Sequence, residues 1–340
     1  MNAADSVNTK TETILQQLYK NHFGSDIKNS QPLTAHGSDR IIIRLHNETG
    51  SSCIGIINSH IAENKAFISF AKHFRSAGLN IPEIYNVSDD TSCYLMEDLG
   101  DTTLLIELGK NPDKSFSENG TELYKKVINI LPEFQINAGK GIDYSLCYQF
   151  REFGEKNIDY DVNYFMNNFL SNFYKGKING ALFTDDIEQI KNIILQMRRD
   201  FFLYRDFQSR NIMLKDEKMY FIDFQSGRKG PLLYDLASLL YDARAKIPQN
   251  ERELLIDYYL DVLDNYIKTD KNEMKENFWY FAVIRILQAM GAYGFLGIVK
   301  GKSKFLESVP YALENINFIL NNRIDNSKLS YLRGIFNELI

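Results

Sequence analysis

Two apolar runs of β character, "FFLY" at residues 201–204 and "NIML" at 211–214, bracket a loop crowded with Arg205, Asp206, Gln208, Ser209, Arg210 and Asn211. Turns between core strands are usually made from Gly, Pro, Asn, Asp and Ser, each for a conformational reason. Two guanidiniums, a carboxylate and two amides serve no such purpose. A further run, "KMYFIDF", follows Asn211 and carries Asp223 near its end. Pairing "NIMLK" with "KMYFID" as a hairpin brings Asn211 and Asp223 to one end.

Two oxygen donors of unequal strength at one place suit a hard cation such as Mg²⁺, which takes few protein oxygens and fills its shell with water and phosphate. Asp206, ahead of Asn211 on the same rim, is left to accept a proton from a hydroxyl. The arginines are expected to offset negative charge there. His73 is the last histidine in the chain, so chemistry near Asp206 runs without a His from its own part of the sequence.

The 340 residues, 44% hydrophobic and 24% charged, are enough for a sizeable core and divide naturally into two lobes. A net charge of -5 leaves no footprint for a phosphate backbone, so nucleic acid is not the expected partner. Cys53, Cys93 and Cys147 are scattered and odd in number, which fits a reducing compartment. The N-terminal stretch lacks an apolar leader, and no run of apolar residues approaches the roughly 18 that a membrane span needs. A cytoplasmic protein without membrane partners is expected.

Strand-like runs dominate the sequence as far as Gly100. "IIIRLHN" and "CIGIIN" form a hairpin, "IPEIYNV" and "SCYLMEDL" two further strands, and residues 61–77 a helix ended by Gly78. Residues 9–23 have an amphipathic period. After the polar connector "NPDKSFSENG", helices are predicted at 121–138, 152–174, 184–199, 251–267, 273–292, 310–321 and 327–338. The expected architecture is α+β and bilobal, a β-rich part over 1–98 and a helical part over 99–340.

An Asp, four residues, an Asn, a strand and a second Asp resemble the catalytic signature of kinases. Protein kinases need a long activation segment after the second Asp. Here "FQSGRKGPLLYDLASLLYD" passes almost directly into a helix at Asp235. That pattern resembles the aminoglycoside phosphotransferase and choline kinase superfamily, with its protein-kinase-like fold. Within it, "RDFQSRN", "GSDRIIIRL", "GLNIPEIY" and "MEDLGDTTLL" look like the bacterial kinases that phosphorylate the anomeric hydroxyl of N-acetylmuramate and N-acetylglucosamine.

The resemblance implies an ATP- and Mg²⁺-dependent phosphotransferase acting on a small-molecule hydroxyl, an amino sugar first. Asp206 is then the catalytic base, and Asn211 and Asp223 are the metal ligands. Gly37, Ser38, Arg40, Arg44, Glu97 and Leu99 face the nucleotide, and Arg210 and Gln225 face the acceptor. Tyr204 and Asp235 are structural, Asp235 capping its helix and bracing the loop. The chain departs from kinases in two places. Tyr204 stands where His precedes Arg-Asp, and the third strand, "CIGIINSH", has no Lys for the phosphates. Arg40 or Arg44 is the candidate substitute, and Glu63, without that Lys, reads as a surface acid. Tyr293 and Phe295 read as core. The alternatives are an aminoglycoside or choline/ethanolamine kinase and a nucleotide-binding pseudokinase with a regulatory role.

Overall fold

The computed structural model describes residues 3–34, 39–110, 116 and 118–340. The chain falls into two compact units. The first comprises residues 1–103, 142–149 and 211–226, and the second residues 104–141, 150–210 and 227–340.

In the first unit, α1 (Ala3–Phe23) precedes β1 (Asn29–Leu33), β2 (Ile41–His46) and β3 (Ser52–Ile57). Then come α2 (Ile61–Ser76), β4 (Ile84–Val87) and β5 (Cys93–Glu97). The strands form one antiparallel sheet in the order β1-β2-β3-β5-β4. Leu15, Leu18 and Tyr19 of α1 close over Leu45, Cys53, Cys93 and Leu95 of the sheet, as the period of residues 9–23 requires. Helix α2 buries Phe67, Phe70 and Phe74, and ends where Gly78 takes φ +86°.

The hairpin at 212–221 belongs to this unit. Ile212–Lys215 pairs with Lys218–Phe221 in the register Ile212↔Phe221. Its turn, Asp216 and Glu217, has φ of 49° and 61°, the left-handed pair that matches strand twist. Phe224, just beyond, stacks on Phe67 of α2 at 4.9 Å.

The second unit is helical, and every predicted helix has a counterpart. Gly180–Gln196, Gln249–Leu263, Val309–Asn322 and Ser330–Glu338 are continuous. Glu118–Pro132, Glu155–Phe165 and Lys271–Gly294 each run into a wider π turn. Two short elements escaped periodicity: the helix Leu104–Leu108 and the strand Arg228–Gly230, which pairs with Phe201–Leu203. Neither is long enough to show a repeat. Most of the connector at 111–120 lies outside the described residues.

Lys271–Gly294 is the axis of this unit. With its π turn to Val299 it is long and apolar enough to cross a membrane, contrary to the sequence expectation, yet 67% of its most apolar window is buried inside the protein. Gly291 and Gly294 let it lie against residues 164–169. A Cβ at Gly294 would sit 2.0 Å from the Asn168 carbonyl oxygen, and one at Gly291 2.9 Å from the Phe165 nitrogen.

Candidate active site

In the second unit, Asp206 stands at the tip of a loop held from behind. Tyr204 is fully buried, edge-on to Phe134 at 5.6 Å and to Phe207 at 5.1 Å, a packing post. The backbone N–H groups of Tyr204 and Arg205 donate to the two carboxylate oxygens of Asp235 at 2.9 and 2.8 Å. The Gln135 amide donates to the same carboxylate at 3.1 Å, and Gln135 is itself held by the Tyr259 hydroxyl at 2.7 Å. Asp235 therefore braces the loop but does not cap its own helix, Leu233–Leu240, whose N-cap is Leu232. Burial pushes its carboxyl up to about 7, against the pull of those three donors.

Arg205 departs from the sequence expectation. Its guanidinium does not face the site but is buried against Asp161 at 2.9 Å, with Asn157 beside it. This anchor holds Arg205 at φ +77°, a left-handed conformation costly for a side chain of this size. Asp206, half-buried, is thereby presented between two constrained neighbours, its carbonyl accepting the Gln208 N–H at 2.9 Å.

Asp206 also lines a cavity of about 60 Å³ with Arg210, Asp242, Arg244, Arg285 and Tyr293. Tyr293 is thus a cavity wall as well as a buried residue, whereas Phe295 packs on Tyr164 at 5.9 Å. Sequence reasoning missed Asp242, Arg244 and Arg285. One signal was available: Arg285 is the lone charge in "FAVIRILQAM", an otherwise apolar helical stretch. A larger cavity of about 290 Å³, walled by Met197, Phe201, Leu233 and Met274, contains none of these residues.

In the first unit, the hairpin does bring Asn211 and Asp223 together. The Ile222 N–H donates to the Asn211 carbonyl at 3.0 Å, and the Asn211 amide approaches Asp223 Oδ2 at 3.4 Å. Asp223 turns inward through φ +69°. Its Oδ1 accepts from the Gln225 amide at 2.7 Å and from Arg40 Nη2 at 3.4 Å. Gln225 is buried, so it positions Asp223, and its own Oε1 is left without a hydrogen-bond partner.

Arg40 and Arg44 have separate fates. Arg40 is ion-paired with Glu63 of α2 at 2.5 Å, both side chains being only 14% exposed. Glu63, expected to be a surface acid, is instead the partner of the arginine that reaches Asp223. Arg44 gives four hydrogen bonds to Asp98 and Asp101, at 2.6 to 3.3 Å. Its charge is already neutralised by two carboxylates and braces the end of β5. Glu97 is tied to Lys215 at 2.9 Å, and its N–H is taken by the Glu83 carbonyl at 2.8 Å. Leu99 is buried. Gly37 and Ser38 lie outside the described residues.

Residues 161–271, which include Asp206, Asn211 and Asp223, match the model of the APH phosphotransferase enzyme family. Over that stretch the chain is similar to phosphotransferases of the APH family. It is 23% identical over 274 residues to an N-acetylmuramate/N-acetylglucosamine kinase of Neisseria meningitidis, covering 77% of this chain and 76% of that protein. Solved structures of kinases share the fold of this chain. An ethanolamine kinase of Plasmodium vivax superposes with a TM-score of 0.60 at 13% identity, covering 87% and 84% of the two chains. A spectinomycin phosphotransferase, solved with ADP and spectinomycin, superposes at 0.58 and 13%, covering 96% and 98%.

Proposed function

We propose that this phosphotransferase transfers the γ-phosphoryl group of Mg²⁺·ATP to the anomeric hydroxyl of an N-acetylated amino sugar. The observation that carries the transfer reaction is the cluster of Asn211, Asp223, Arg40 and Glu63, where two metal-type oxygens stand beside a paired cation. The donor set fits Mg²⁺: hard oxygens only, few of them, with an unused amide oxygen on Gln225 close by. Asn211 and Asp223 would hold Mg²⁺ there, and the ion would supply positive charge to offset that of the phosphates.

The rest follows from the chain's own groups. Asp206 holds the acceptor hydroxyl and takes its proton as the oxygen attacks phosphorus. Asp235, through two backbone N–H bonds, keeps that carboxylate in place, and positioning supplies most of the acceleration. Arg40 meets the outer phosphates, the task of the missing lysine, with Glu63 steadying it as a lysine's partner would. The segment Glu97 to Leu99 faces the adenine. The Arg40–Glu63 pair weakens the pseudokinase alternative, which drew on the missing lysine.

Arg40→Ala is expected to weaken ATP binding by roughly tenfold or more and AMP binding far less, because only ATP carries outer phosphates. Calorimetric titration of both nucleotides checks this. Equal losses for the two would remove Arg40 from phosphate recognition.

The amino sugar is supported by the name of the N. meningitidis relative. An anomeric hydroxyl is also more acidic than an ordinary alcohol, so a carboxylate can assist its attack. The product is a 1-phosphate, which has lost its reducing end. Incubation with Mg²⁺·ATP and each sugar, followed by phosphorus NMR and a reducing-end assay, tests the reading. A 6-phosphate product would refute anomeric transfer, and turnover confined to choline or an aminoglycoside would refute the sugar.

A further inference from the structure

We propose that the acceptor carries a carboxylate, and that Arg244 and Arg285, with Arg210 beside them, select it against neutral acceptors. The proposal rests on the amino-sugar reading and deepens it, since N-acetylmuramate bears a lactyl carboxylate that N-acetylglucosamine lacks.

The cavity beside Asp206 holds three guanidiniums and two carboxylates. Among the described residues none of the three arginines has a carboxylate within ion-pair distance. Arg285, only 4% exposed, bonds neutral partners: Nε donates to Ser238 Oγ at 3.0 Å and Nη1 to Gln288 Oε1 at 2.8 Å. Arg244 donates to Ser308 Oγ at 3.3 Å and to the Lys304 carbonyl oxygen at 3.5 Å, and lies over the Phe305 ring at 5.2 Å. Asp242 is occupied by the loop, accepting from the Ser209 hydroxyl at 3.4 Å and from the Arg244 backbone N–H at 3.1 Å. Asp206 is reserved for the acceptor hydroxyl.

A guanidinium this deeply buried with only neutral hydrogen-bond partners is costly, and an anion arriving with substrate relieves that cost. The three arginines line one cavity. Burial and Asp242 push the Tyr293 hydroxyl up to about 12, while Arg285, Arg210 and Arg244 all pull it down. A planar guanidinium fork matches a carboxylate. A cationic acceptor such as choline would instead want an acidic or aromatic pocket.

The test measures kcat/KM for N-acetylmuramate and N-acetylglucosamine, and calorimetric binding of both sugars without nucleotide, in wild type, Arg244→Gln and Arg285→Gln. Wild type should favour N-acetylmuramate by about tenfold or more, and each variant should cut that ratio to within about threefold. Because the readout is a ratio, partial loss of folded protein cancels. Binding of N-acetylmuramate no tighter than that of N-acetylglucosamine, or a ratio unmoved in both variants, overturns the proposal. So does a rise in KM confined to ATP, which would make the arginines phosphate readers. Arginine-dependent binding of N-acetylmuramate without phosphorylation would uphold the carboxylate site while refuting the amino-sugar kinase.

Discussion

Asp206→Asn is expected to lower kcat by at least about a hundredfold while ATP affinity stays within about twofold of wild type. The substitution keeps the shape of the side chain and removes only its basicity. The loop should survive, since its supports are the Asp235 bonds to Tyr204 and Arg205 and the Arg205–Asp161 pair, none of which involves the Asp206 carboxylate. Steady-state rates with nucleotide titration separate the outcomes. Wild-type turnover would end the assignment of Asp206 as base. A large loss of ATP affinity would make it a ligand of the nucleotide site.

The second large effect is on stability. Asp161→Ala leaves the Arg205 guanidinium buried without its carboxylate, and should cost about 3–5 kcal/mol of unfolding free energy. Asp161 is 1% exposed, and the Asn157 nearby is a neutral amide already shared with Arg228 at 2.6 Å, so it cannot replace the lost carboxylate. The double variant Asp161→Leu with Arg205→Met, which removes both charges, should recover most of the loss. Urea unfolding followed by circular dichroism reads both. A single variant as stable as wild type would mean that Arg205 is held by its neutral contacts alone.

The pairing of Asn211 with Asp223 was legible because it is local: one hairpin places both, and its register follows from two apolar runs. Long helices were legible for a similar reason, their period repeating often enough to be seen. The electrostatic partners were not. Arg40 meets Glu63 from 23 residues away, and Arg44 meets Asp98 from 54. Whether a given arginine faces phosphate or a carboxylate of its own protein is decided by the strand it sits on and by what the sheet places opposite. The arginine cavity was hidden for the same reason, since Arg244 and Arg285 come from separate segments of the chain and only the packed helices bring them to one wall.

The ring of Phe224 against Phe67 and Phe74 bears on how the protein could be cut or recombined. The polypeptide leaves the first compact unit at Thr103, returns for residues 142–149 and again for 211–226. A fragment ending at Thr103 would therefore lack the aromatic lid of α2 and the strand pair that carries Asn211. Exchanging that fragment between relatives would graft a sheet onto a foreign hairpin. A viable chimera has to carry three separate stretches of sequence at once, so the two units cannot be traded as simple blocks.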